Sequence, residues 1–492
     1  MKILILITAF NVEKFVEKVI QRLPDQIKKE KDNVEILIID DASKDDTLKK
    51  ILLMKEKLKN MNITCLSNKE NLGYGGNQKV GYYYAIKNNF DIVVLLHGDG
   101  QYSPELIMEM INPIKNNLAD AVQGSRMIKK FNALKGGMPL YKFFGNLGLT
   151  TFQNILTNMK LSEYHSGYRA YRVNCLKKIP FNLNSNYFHF DTQILIQLNI
   201  SKFKILEIPI PTFYGEEISS LKATSYGFAI LRTTISYFVQ KFGIFYDKKF
   251  NFINEEGPVK YVSKLNFLST HKSAYELIDN HSNVLSIGCG EAYTEKKLTN
   301  DKQCSVDAID EYQNDDLNFL NSYKVLNLEK DKLVINKEYN YILFLDVIEH
   351  LSNPETFLKN LNKEMTLKKN CKLIISTPNI ANIFIRIMLL FGQFNYGKKG
   401  ILDKTHKRLF TLSSFKRLLV DTNFKIEKII AIPPPFPLAI SNNFLSKSLL
   451  TIFTFLNKLR MSLFAFQFML IVKPKPSLEL LLSNASIREE KN

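Results

Sequence analysis

The chain has 492 residues, 45% of them hydrophobic and 23% charged, which is the composition of a globular protein and excludes disorder as the main state. Its five cysteines are an odd number without a CxxC pair, so a disulfide scaffold is excluded, and the pattern argues for a reducing compartment and against a cysteine-built zinc site. The net charge of +18 divides into +11 for residues 1–250 and +7 for the remainder, and this diffuse positive field favours anionic partners.

The N-terminal part alternates apolar runs with helical patterns at about 12–28, 45–60, 75–89 and 104–117. The predicted strands are Lys2–Thr8, Val34–Asp40, Asn62–Leu66, Ile92–Leu96 and Ala121–Gln123. This alternation predicts a mostly parallel α/β sheet. A later strand, Ile205–Thr212, contains two prolines and is expected to lie at a sheet edge or to be irregular. The first apolar run lacks the charged region and cleavage site of a signal peptide.

The same alternation restarts after the polar stretch Asp247–Gly257. The predicted strands are Asn283–Gly288, Ser305–Asp310, Tyr341–Leu345 and Lys372–Ser376. Two runs of this kind predict an α/β protein with two Rossmann-like domains, each with its own sheet. We place the domains at 1–245 and 265–475, with a linker at 246–264 and a polar tail at 476–492.

The apolar segment 444–473 is interrupted by Lys447, Lys458 and Arg460, so it does not meet the requirement for a membrane-spanning helix. We predict an amphipathic helix there, followed by a last strand, Phe464–Val472. The upstream run Pro433–Pro437 is predicted to be non-helical. It is read either as a surface loop or as a lip that faces a membrane.

Two motifs of the N-terminal part place acidic residues directly after strands, where open α/β sheets bind ligands. Asp40 and Asp41 follow the second strand and can accept hydrogen bonds from a base or a ribose. Ser43 or Asp45 could instead cap the next helix, and both readings can hold. His97–Gln101, with the sequence HGDGQ, follows the strand Ile92–Leu96. Asp99 can hold Mg²⁺ or Mn²⁺ against a diphosphate, whereas a tight turn is the alternative.

Residues 1–240 resemble the family 2 (GT-A) glycosyltransferases, and most of all the branch of dolichyl- or polyprenyl-phosphate sugar synthases. Six segments carry the resemblance in the family's order: ITAFN at 7–11, DDASKDDT at 40–47, NLGYGGN at 71–77, HGDGQ at 97–101, GSR at 124–126 and SGYR at 166–169. The resemblance implies a UDP- or GDP-sugar donor and a divalent cation, Mg²⁺ or Mn²⁺. The C-terminal membrane helices that this branch often carries are not evident.

The resemblance also implies roles for particular residues. Those expected to bind the nucleotide sugar are Asn11, Asp40, Asp41, Asp99, Arg126 and Arg169. Those expected to bind the metal are His97, Asp99 and Gln101, and Asp99 is a catalytic residue for that reason. His97 stands where the family has the first aspartate of DxD, which leaves the choice of metal open. A hydroxyl acceptor needs a base, and the candidates are Glu163, His165 and Asp191, each of which could also be structural. A lipid phosphate needs none.

The C-terminal part contains a second nucleotide-type pattern. The strand that starts at Asn283 opens into Gly288-Cys289-Gly290, and glycines at such a turn allow a ligand to lie against the backbone. Twenty residues past Gly290, Asp310 ends the next strand, where an acidic residue holds a ribose diol. A dinucleotide site is the competing reading, but the third glycine of that motif is missing.

With DVIEHL at 346–351 and TPN at 377–379, residues 265–475 resemble the class I S-adenosylmethionine-dependent methyltransferases. The residues implied to bind this cofactor are Gly288, Gly290, Asp310, Asn327 and Asp346. His350 is a candidate base, and His406 and Arg408 are candidates for reading an acceptor's hydroxyl or phosphate. Ser286 and Ala292 stand where this family commonly has an acid and a third glycine.

The sequence thus predicts a bifunctional enzyme that transfers a sugar from a nucleotide donor and a methyl group to a glycan, lipid-linked or small-molecule acceptor. We expect a cytoplasmic protein, with peripheral contact at the inner membrane face as a further expectation. The alternative is that one domain has lost catalysis and serves as a binding module. A nucleic-acid partner is not expected, because no basic cluster interleaved with aromatic residues is present.

Overall fold

The computed structural model describes residues 1–29, 33–59, 61–212, 223–242, 245–252, 263–314, 316–366 and 371–476. The chain divides into two compact units, Met1–Phe238 with Asp247–Glu256 and Val239–Tyr246 with Gly257–Asn492. Most of the expected linker 246–264 and all of the expected tail 476–492 except Pro476 lie outside the described residues. The proposed domain boundaries therefore remain predictions.

The first unit is built on a seven-stranded sheet in the order β3-β2-β1-β4-β6-β5-β7. Its strands are β1 (Ile3–Ala9), β2 (Val34–Asp40), β3 (Ile63–Ser67), β4 (Ile92–His97), β5 (Ala121–Ser125), β6 (Arg169–Arg172) and β7 (Ile205–Pro209). β1 pairs in parallel with both β2 and β4, so the carboxyl ends of these three strands lie at one edge. The edge position of β7 confirms the expectation from its prolines.

The apolar side chains of β1 explain why this strand is central. Ile3, Ile5 and Ile7 belong to one buried cluster, while Leu4 and Leu6 belong to another. A strand with apolar residues on both faces is stable only when helices cover both sides of its sheet. The helices of the N-terminal half are α1 (Val16–Gln21), α2 (Asp25–Lys29), α3 (Thr47–Lys57), α4 (Tyr74–Lys87), α5 (Ile107–Lys115), α6 (Lys130–Lys135), α7 (Leu140–Thr157), α8 (Val173–Lys177), α9 (Phe190–Ile200) and α10 (Ala223–Gln240).

The second unit has its own seven-stranded sheet in the order β10-β9-β8-β11-β12-β14-β13. Its strands are β8 (Asn283–Ile287), β9 (Ser305–Asp310), β10 (Ser322–Val325), β11 (Tyr341–Phe344), β12 (Lys372–Pro378), β13 (Phe424–Ile432) and β14 (Gln467–Pro474). The five strands that the sequence predicts are confirmed, with β14 antiparallel to β12. The two that it misses carry charged residues: β10 is largely exposed, and β13 contains lysines and a bulge.

The helices of the C-terminal half are α11 (Thr270–Leu277), α12 (Tyr293–Lys302), α13 (Pro354–Thr366), α14 (Ile383–Leu390), α15 (Leu412–Asp421), α16 (Phe436–Ile440) and α17 (Phe444–Phe464). The predicted amphipathic helix is α17, which is kinked at Arg460. Among the helices of the described residues, none has the length and apolarity needed to cross a membrane.

The proline-rich run corrects one prediction. A short helix, α16, begins within it at Phe436, and Pro437 occupies the first turn, where the missing N–H removes no hydrogen bond. Pro433, Pro434 and Phe436 are buried. Pro435 and Pro437 are half-buried, and the reading of this run as a membrane-facing lip stays a prediction.

Candidate active sites

The first candidate site lies at the carboxyl ends of β1, β2 and β4. Asp40 is 1% exposed, and its Oδ1 accepts no hydrogen bond within the described residues. Asp41 has a different role. Its Oδ1 accepts from Leu72 N at 2.9 Å and its Oδ2 from Gly73 N at 3.0 Å. Asp41 thus holds the loop before α4, while Asp40 retains an acceptor that a ligand could use.

Asn11 joins the loops that follow β1 and β2. Its Oδ1 accepts from Lys44 N at 2.8 Å, and its own N–H donates to Ser43 Oγ at 2.9 Å. The side-chain oxygen of Asn11 is therefore occupied by the protein. Asn11 shapes the expected nucleotide edge by fixing the backbone of both loops.

A buried chain of polar groups lies behind His97. Tyr74 donates its hydroxyl proton to Asp191 Oδ2 at 2.8 Å, and the Tyr74 hydroxyl oxygen lies 3.3 Å from His97 Nε2. Because the tyrosine proton is used on the carboxylate, the tyrosine oxygen accepts from Nε2–H, and Nδ1 of His97 keeps its lone pair. His97 and Asp191 are the two ends of this chain, and burial is the largest influence on the pKa of each. It lowers the pKa of His97 and raises that of Asp191.

The residues expected to hold a cation fit that role chemically. His97 ends β4, and Asp99 follows it in a turn in which Gln101 N donates to Asp99 Oδ1 at 3.0 Å. One imidazole nitrogen and one carboxylate form a mixed donor set, which suits Mn²⁺ better than Mg²⁺. A bound cation there would supply positive charge opposite a leaving diphosphate.

Arg126 and Glu163 form a buried pair rather than two separate ligand groups. The Glu163 carboxylate is 0% exposed and accepts from Arg126 N at 2.9 Å, from its guanidinium, and from Asn146 Nδ2 at 2.8 Å. Burial raises the pKa of Glu163, but the Arg126 charge and these hydrogen bonds outweigh it, and the net pKa is lowered. Glu163 is therefore a weak base. Arg126 also lines a cleft of about 220 Å³ together with Lys129.

Two further expected site residues, Arg169 and His165, make hydrogen bonds to other parts of the protein. Arg169 is 1% exposed and donates to the carbonyl oxygens of Ser166, Tyr164 and Asp191. Its guanidinium thereby holds the SGYR segment, and its Nη1 also lies 3.8 Å from Asp191 Oδ1. His165 Nδ1 lies 2.9 Å from the Tyr226 hydroxyl, and burial lowers the pKa of His165 to about 4.

The Gly167→Ala substitution tests the packing around His97. A Cβ at Gly167 would lie 2.5 Å from the Tyr74 hydroxyl and 2.7 Å from His97 Nε2. We expect the variant to lose about 1–3 kcal/mol of stability through overpacking and to lose sugar transfer as His97 is displaced. Gly145→Ala on α7 is the control, because a Cβ there would have no atom of another described element within 4 Å. Thermal unfolding by circular dichroism should show destabilisation for Gly167→Ala alone, and equal midpoints would contradict the packing argument.

The second candidate site lies where β8 and β9 end. Gly288 has a φ of +78°, and a Cβ there would lie 2.4 Å from Val347 Cγ2, so only glycine fits. Gly290 has a φ of +54°, and no atom of the described residues beyond its chain neighbours lies within 4 Å of its Cβ position. Asp310 Oδ2 accepts from Gly290 N at 2.8 Å, which connects the two strand ends. The open space beside Gly290 and the Asp310 carboxylate fit the adenosyl cofactor that the sequence predicts.

Ser286 has a partner that the sequence did not indicate. Its hydroxyl donates to Glu295 Oε1 at 2.6 Å, and Glu295, on α12, is 4% exposed. The acid that the family commonly carries on this strand is thus supplied by Glu295 from the following helix. Ala292, at the position of the usual third glycine, adopts a left-handed φ of +50°.

Asp346 is surrounded by groups that keep it ionised. Lys264 Nζ lies 3.4 Å from its Oδ2, and the hydroxyls of Thr270 and Ser376 donate to it at 3.3 and 2.5 Å. Burial raises the pKa of Asp346, but Lys264, His271 and the hydrogen bonds lower it to about 2. Lys264 and His271 were not predicted, because they precede the motif by more than 70 residues.

The remaining predicted residues of this unit are Asn327, His350, His406 and Arg408. Asn327 forms a turn, with its Oδ1 accepting from Glu329 N at 3.0 Å and its Nδ2 donating to Glu311 at 2.7 Å. His350 and His406 are brought together, with ring centroids 4.9 Å apart. Arg408 pairs with Glu355 at 2.5 Å, so its charge is partnered by an acid on α13.

Comparison with known families gives two matches along the chain. Residues 4–180 match the family model described as "Glycosyl transferase family 2", and residues 253–429 match one described as "Methyltransferase domain". A methyltransferase domain implies S-adenosylmethionine as the methyl donor. Together the two matches confirm the predicted order of the two domains.

Three curated relatives are similar to parts of the chain. A protein of Methanococcus voltae named UDP-N-acetylglucosamine–dolichyl-phosphate N-acetylglucosaminyltransferase is 33% identical over 44% of this chain and 86% of its own length. The undecaprenyl-phosphate mannosyltransferase of Micrococcus luteus is 24% identical over 45% of this chain and 87% of its own length. A ubiquinone biosynthesis O-methyltransferase of Rickettsia bellii is 27% identical over 37% of this chain and 76% of its own length. The chain belongs to glycosyl transferase family 2 and carries a methyltransferase domain in its C-terminal half.

Proposed function

We propose that the N-terminal domain transfers a sugar from a UDP- or GDP-linked donor to the phosphate of a polyprenyl lipid. The donor would contact Asp40 through its nucleotide, and its diphosphate would lie against a cation held by His97 and Asp99. Gln101, the third expected ligand, donates its backbone N–H to Asp99 and would complete the same turn.

One observation supports a phosphate rather than a hydroxyl acceptor. Two of the three candidate bases are weak: Arg126 and the hydrogen bonds lower the net pKa of Glu163, and burial lowers the pKa of His165 to about 4. The third, Asp191, already accepts the Tyr74 proton at Oδ2. A phosphate oxygen is already a nucleophile at neutral pH and needs no base, whereas a hydroxyl does. The names of the Methanococcus and Micrococcus relatives both include a polyprenyl-type lipid phosphate, which agrees with this proposal.

The lipid acceptor implies contact with a membrane surface. Helix α7 exposes several large apolar side chains, with exposures of 64% for Leu140, 67% for Tyr141, 64% for Phe144 and 72% for Ile155. Amphipathic helices with such residues bind in the interfacial layer of a bilayer, and basic residues strengthen binding to anionic lipids. We propose that α7 contacts the membrane from which the acceptor is drawn.

The double substitution Leu140→Ser with Phe144→Ser tests this contact. Each side chain would bury apolar surface worth about 1.5–3 kcal/mol, so we expect at least a tenfold loss of affinity for vesicles that contain anionic phospholipid. Leu118→Ser is the control, because Leu118 is 55% exposed but lies outside α7. Co-sedimentation measures the binding, and equal affinity of both variants would count against α7 as the membrane contact.

We propose that the C-terminal domain methylates a hydroxyl of a glycan, of a lipid-linked product or of a small molecule. S-adenosylmethionine carries its methyl group on a sulfonium, and the domain's main task is to align an acceptor oxygen with it. Asp310 and the turn at Gly288–Gly290 would hold the cofactor, with Asp346 beside it. The Rickettsia relative is named an O-methyltransferase, which agrees with an oxygen acceptor.

The full-length protein tests both proposals together. It is incubated with UDP- and GDP-sugars, with polyprenyl phosphate or a free glycan, and with labelled S-adenosylmethionine. Sugar that enters the lipid phase supports the phosphate acceptor, whereas transfer to the glycan alone would replace it with a hydroxyl acceptor. If one domain serves only as a binding module, calorimetry will show binding of its ligand without turnover. Neither binding nor turnover of either nucleotide would overturn the proposed function.

A further inference from the structure

Three potential metal ligands converge in the second unit outside the groups assigned to cofactor binding. Glu349 and His350 belong to a single helical turn, Ile348–His350, that follows β11, and His406 lies in the loop before α15. One ligand atom from each of the three lies within 4.8 Å of the others. His406 Nε2 is 4.0 Å from Glu349 Oε1.

The hydrogen bonds of the two imidazole rings direct the same nitrogen toward this cluster. His350 Nδ1 lies 3.2 Å from the carbonyl oxygen of Thr405, and His406 Nδ1 lies 2.9 Å from that of Ile401. A carbonyl oxygen can only accept, so each Nδ1 carries the proton and each Nε2 keeps its lone pair. Metal-binding histidines are oriented in this way, through a second ring nitrogen that donates to the protein.

Glu349 supplies a buried carboxylate. The residue is 1% exposed, and its Oε2 makes no hydrogen bond of ordinary geometry within the described residues, although the Thr377 hydroxyl is its neighbour. A buried carboxyl oxygen without a hydrogen-bond partner is unfavourable, and a cation between Glu349 and the two imidazoles would provide Oε2 with a partner.

The backbone already joins the two segments that carry these ligands. The N–H groups of Lys407 and Arg408 both donate to the carbonyl oxygen of Glu349, at 2.9 and 3.0 Å. The His406 loop is therefore fastened to the Glu349 turn. With bonds of about 2.1 Å, two ligand atoms on one cation lie roughly 3–3.5 Å apart, so the 4.0 Å separation needs only a small side-chain adjustment.

We propose that Glu349, His350 and His406 bind a divalent transition-metal cation such as Mn²⁺, Co²⁺ or Zn²⁺ in the methyltransferase domain. Two imidazoles and one carboxylate favour these ions over Mg²⁺ and Ca²⁺, which prefer oxygen ligands. Three protein ligands leave coordination positions open, as in catalytic rather than structural metal sites. An oxygen of the methyl acceptor could occupy one of them, and this last inference rests on the proposed methyl transfer.

Titration of the metal-free full-length protein with Co²⁺ tests the site without any substrate, so failure of methyl transfer would not affect the result. The Asp99→Ala background removes the expected cation ligand of the first unit. We expect one Co²⁺ to bind, with the visible absorption of a nitrogen-ligated ion, and Zn²⁺ to displace it. His406→Gln and Glu349→Gln should each weaken binding by at least about 100-fold, since even loss of a supporting residue costs 10–100-fold.

His281→Asn is the matched control, because His281 is an exposed histidine of the same unit and asparagine tolerates its left-handed φ of +58°. It should bind Co²⁺ as the parent does. His350→Gln, at a less buried position, provides a second ligand variant if Glu349→Gln fails to fold by circular dichroism. The proposal is overturned if the parent binds no Co²⁺, or if folded ligand variants bind it with unchanged affinity.

Discussion

Asp99→Ala should abolish sugar transfer, by about 1,000-fold or more, and leave methyl transfer intact. The side chain follows β4 at the ligand edge of the first sheet, where its carboxylate is expected to hold the cation that neutralises the leaving diphosphate. Without the Asp99 carboxylate, only His97 remains of the two residues expected to bind the cation most strongly. Sugar transfer from labelled donor and methyl transfer from labelled S-adenosylmethionine are measured on the same preparation.

Asp25→Ala provides the control for a lost acid in the same unit, since the Asp25 side chain is 81% exposed and its ion pair with Lys28 is superficial. It should retain sugar transfer. Simultaneous loss of both activities in Asp99→Ala would show that the two domains do not act independently. Full sugar transfer by Asp99→Ala would remove this residue from the catalytic site.

Asp310→Ala should produce the reciprocal result, with S-adenosylmethionine binding weakened by about 100-fold and sugar transfer retained. The carboxylate has two tasks that the substitution removes together. It is expected to bind the ribose hydroxyls, and it holds the turn at Gly290 through a hydrogen bond of 2.8 Å. Hydrogen bonds to a charged group contribute about 1.5–3 kcal/mol each, and a 100-fold change is about 2.8 kcal/mol, so loss of one such bond is sufficient for the expected change. Isothermal titration calorimetry measures the affinity.

Asp316→Ala is the corresponding control, because Asp316 is an exposed acid that follows the same strand. Its affinity for S-adenosylmethionine should match that of the parent. If Asp310→Ala binds the cofactor as tightly as this control, the ribose is held elsewhere. A loss of sugar transfer in Asp310→Ala would again contradict independent domains.

Much of the fold follows from local patterns. Apolar runs such as Ile3–Ala9 and Ile92–His97 are strands because both of their faces are buried. The motifs at 40–47, 97–101 and 288–290 lie at strand ends, as their positions after apolar runs predict. Three strands escaped prediction, β6, β10 and β13, and none of them is a continuous apolar run without charged residues. β6 is held between β4 and β5, and β10 and β13 pair at the two edges of the second sheet.

Partners distant in sequence could not be predicted in this way. Glu163 and Asp191 were identified as candidate bases, but their environments are set by Arg126 and Tyr74, which lie 37 and 117 positions away. Ser286 stands where the family commonly has an acid, and its hydroxyl donates to Glu295 on the following helix. Each of these pairings depends on which side chains the packed sheet and helices bring together.

The sequence by itself determined the two α/β domains, their order and the strand ends at which ligands are expected, because hydrophobic periodicity and turn chemistry act over a few residues. Only the tertiary structure decided the electrostatic state of the sites. In the described part of the chain, it leaves Asp40 Oδ1 without a hydrogen bond, and it buries Glu163 against Arg126. It also brings His406 within 4.0 Å of Glu349 across 57 positions of the chain. The energies of charges depend on burial and on distance to partners, and both are properties of the folded chain.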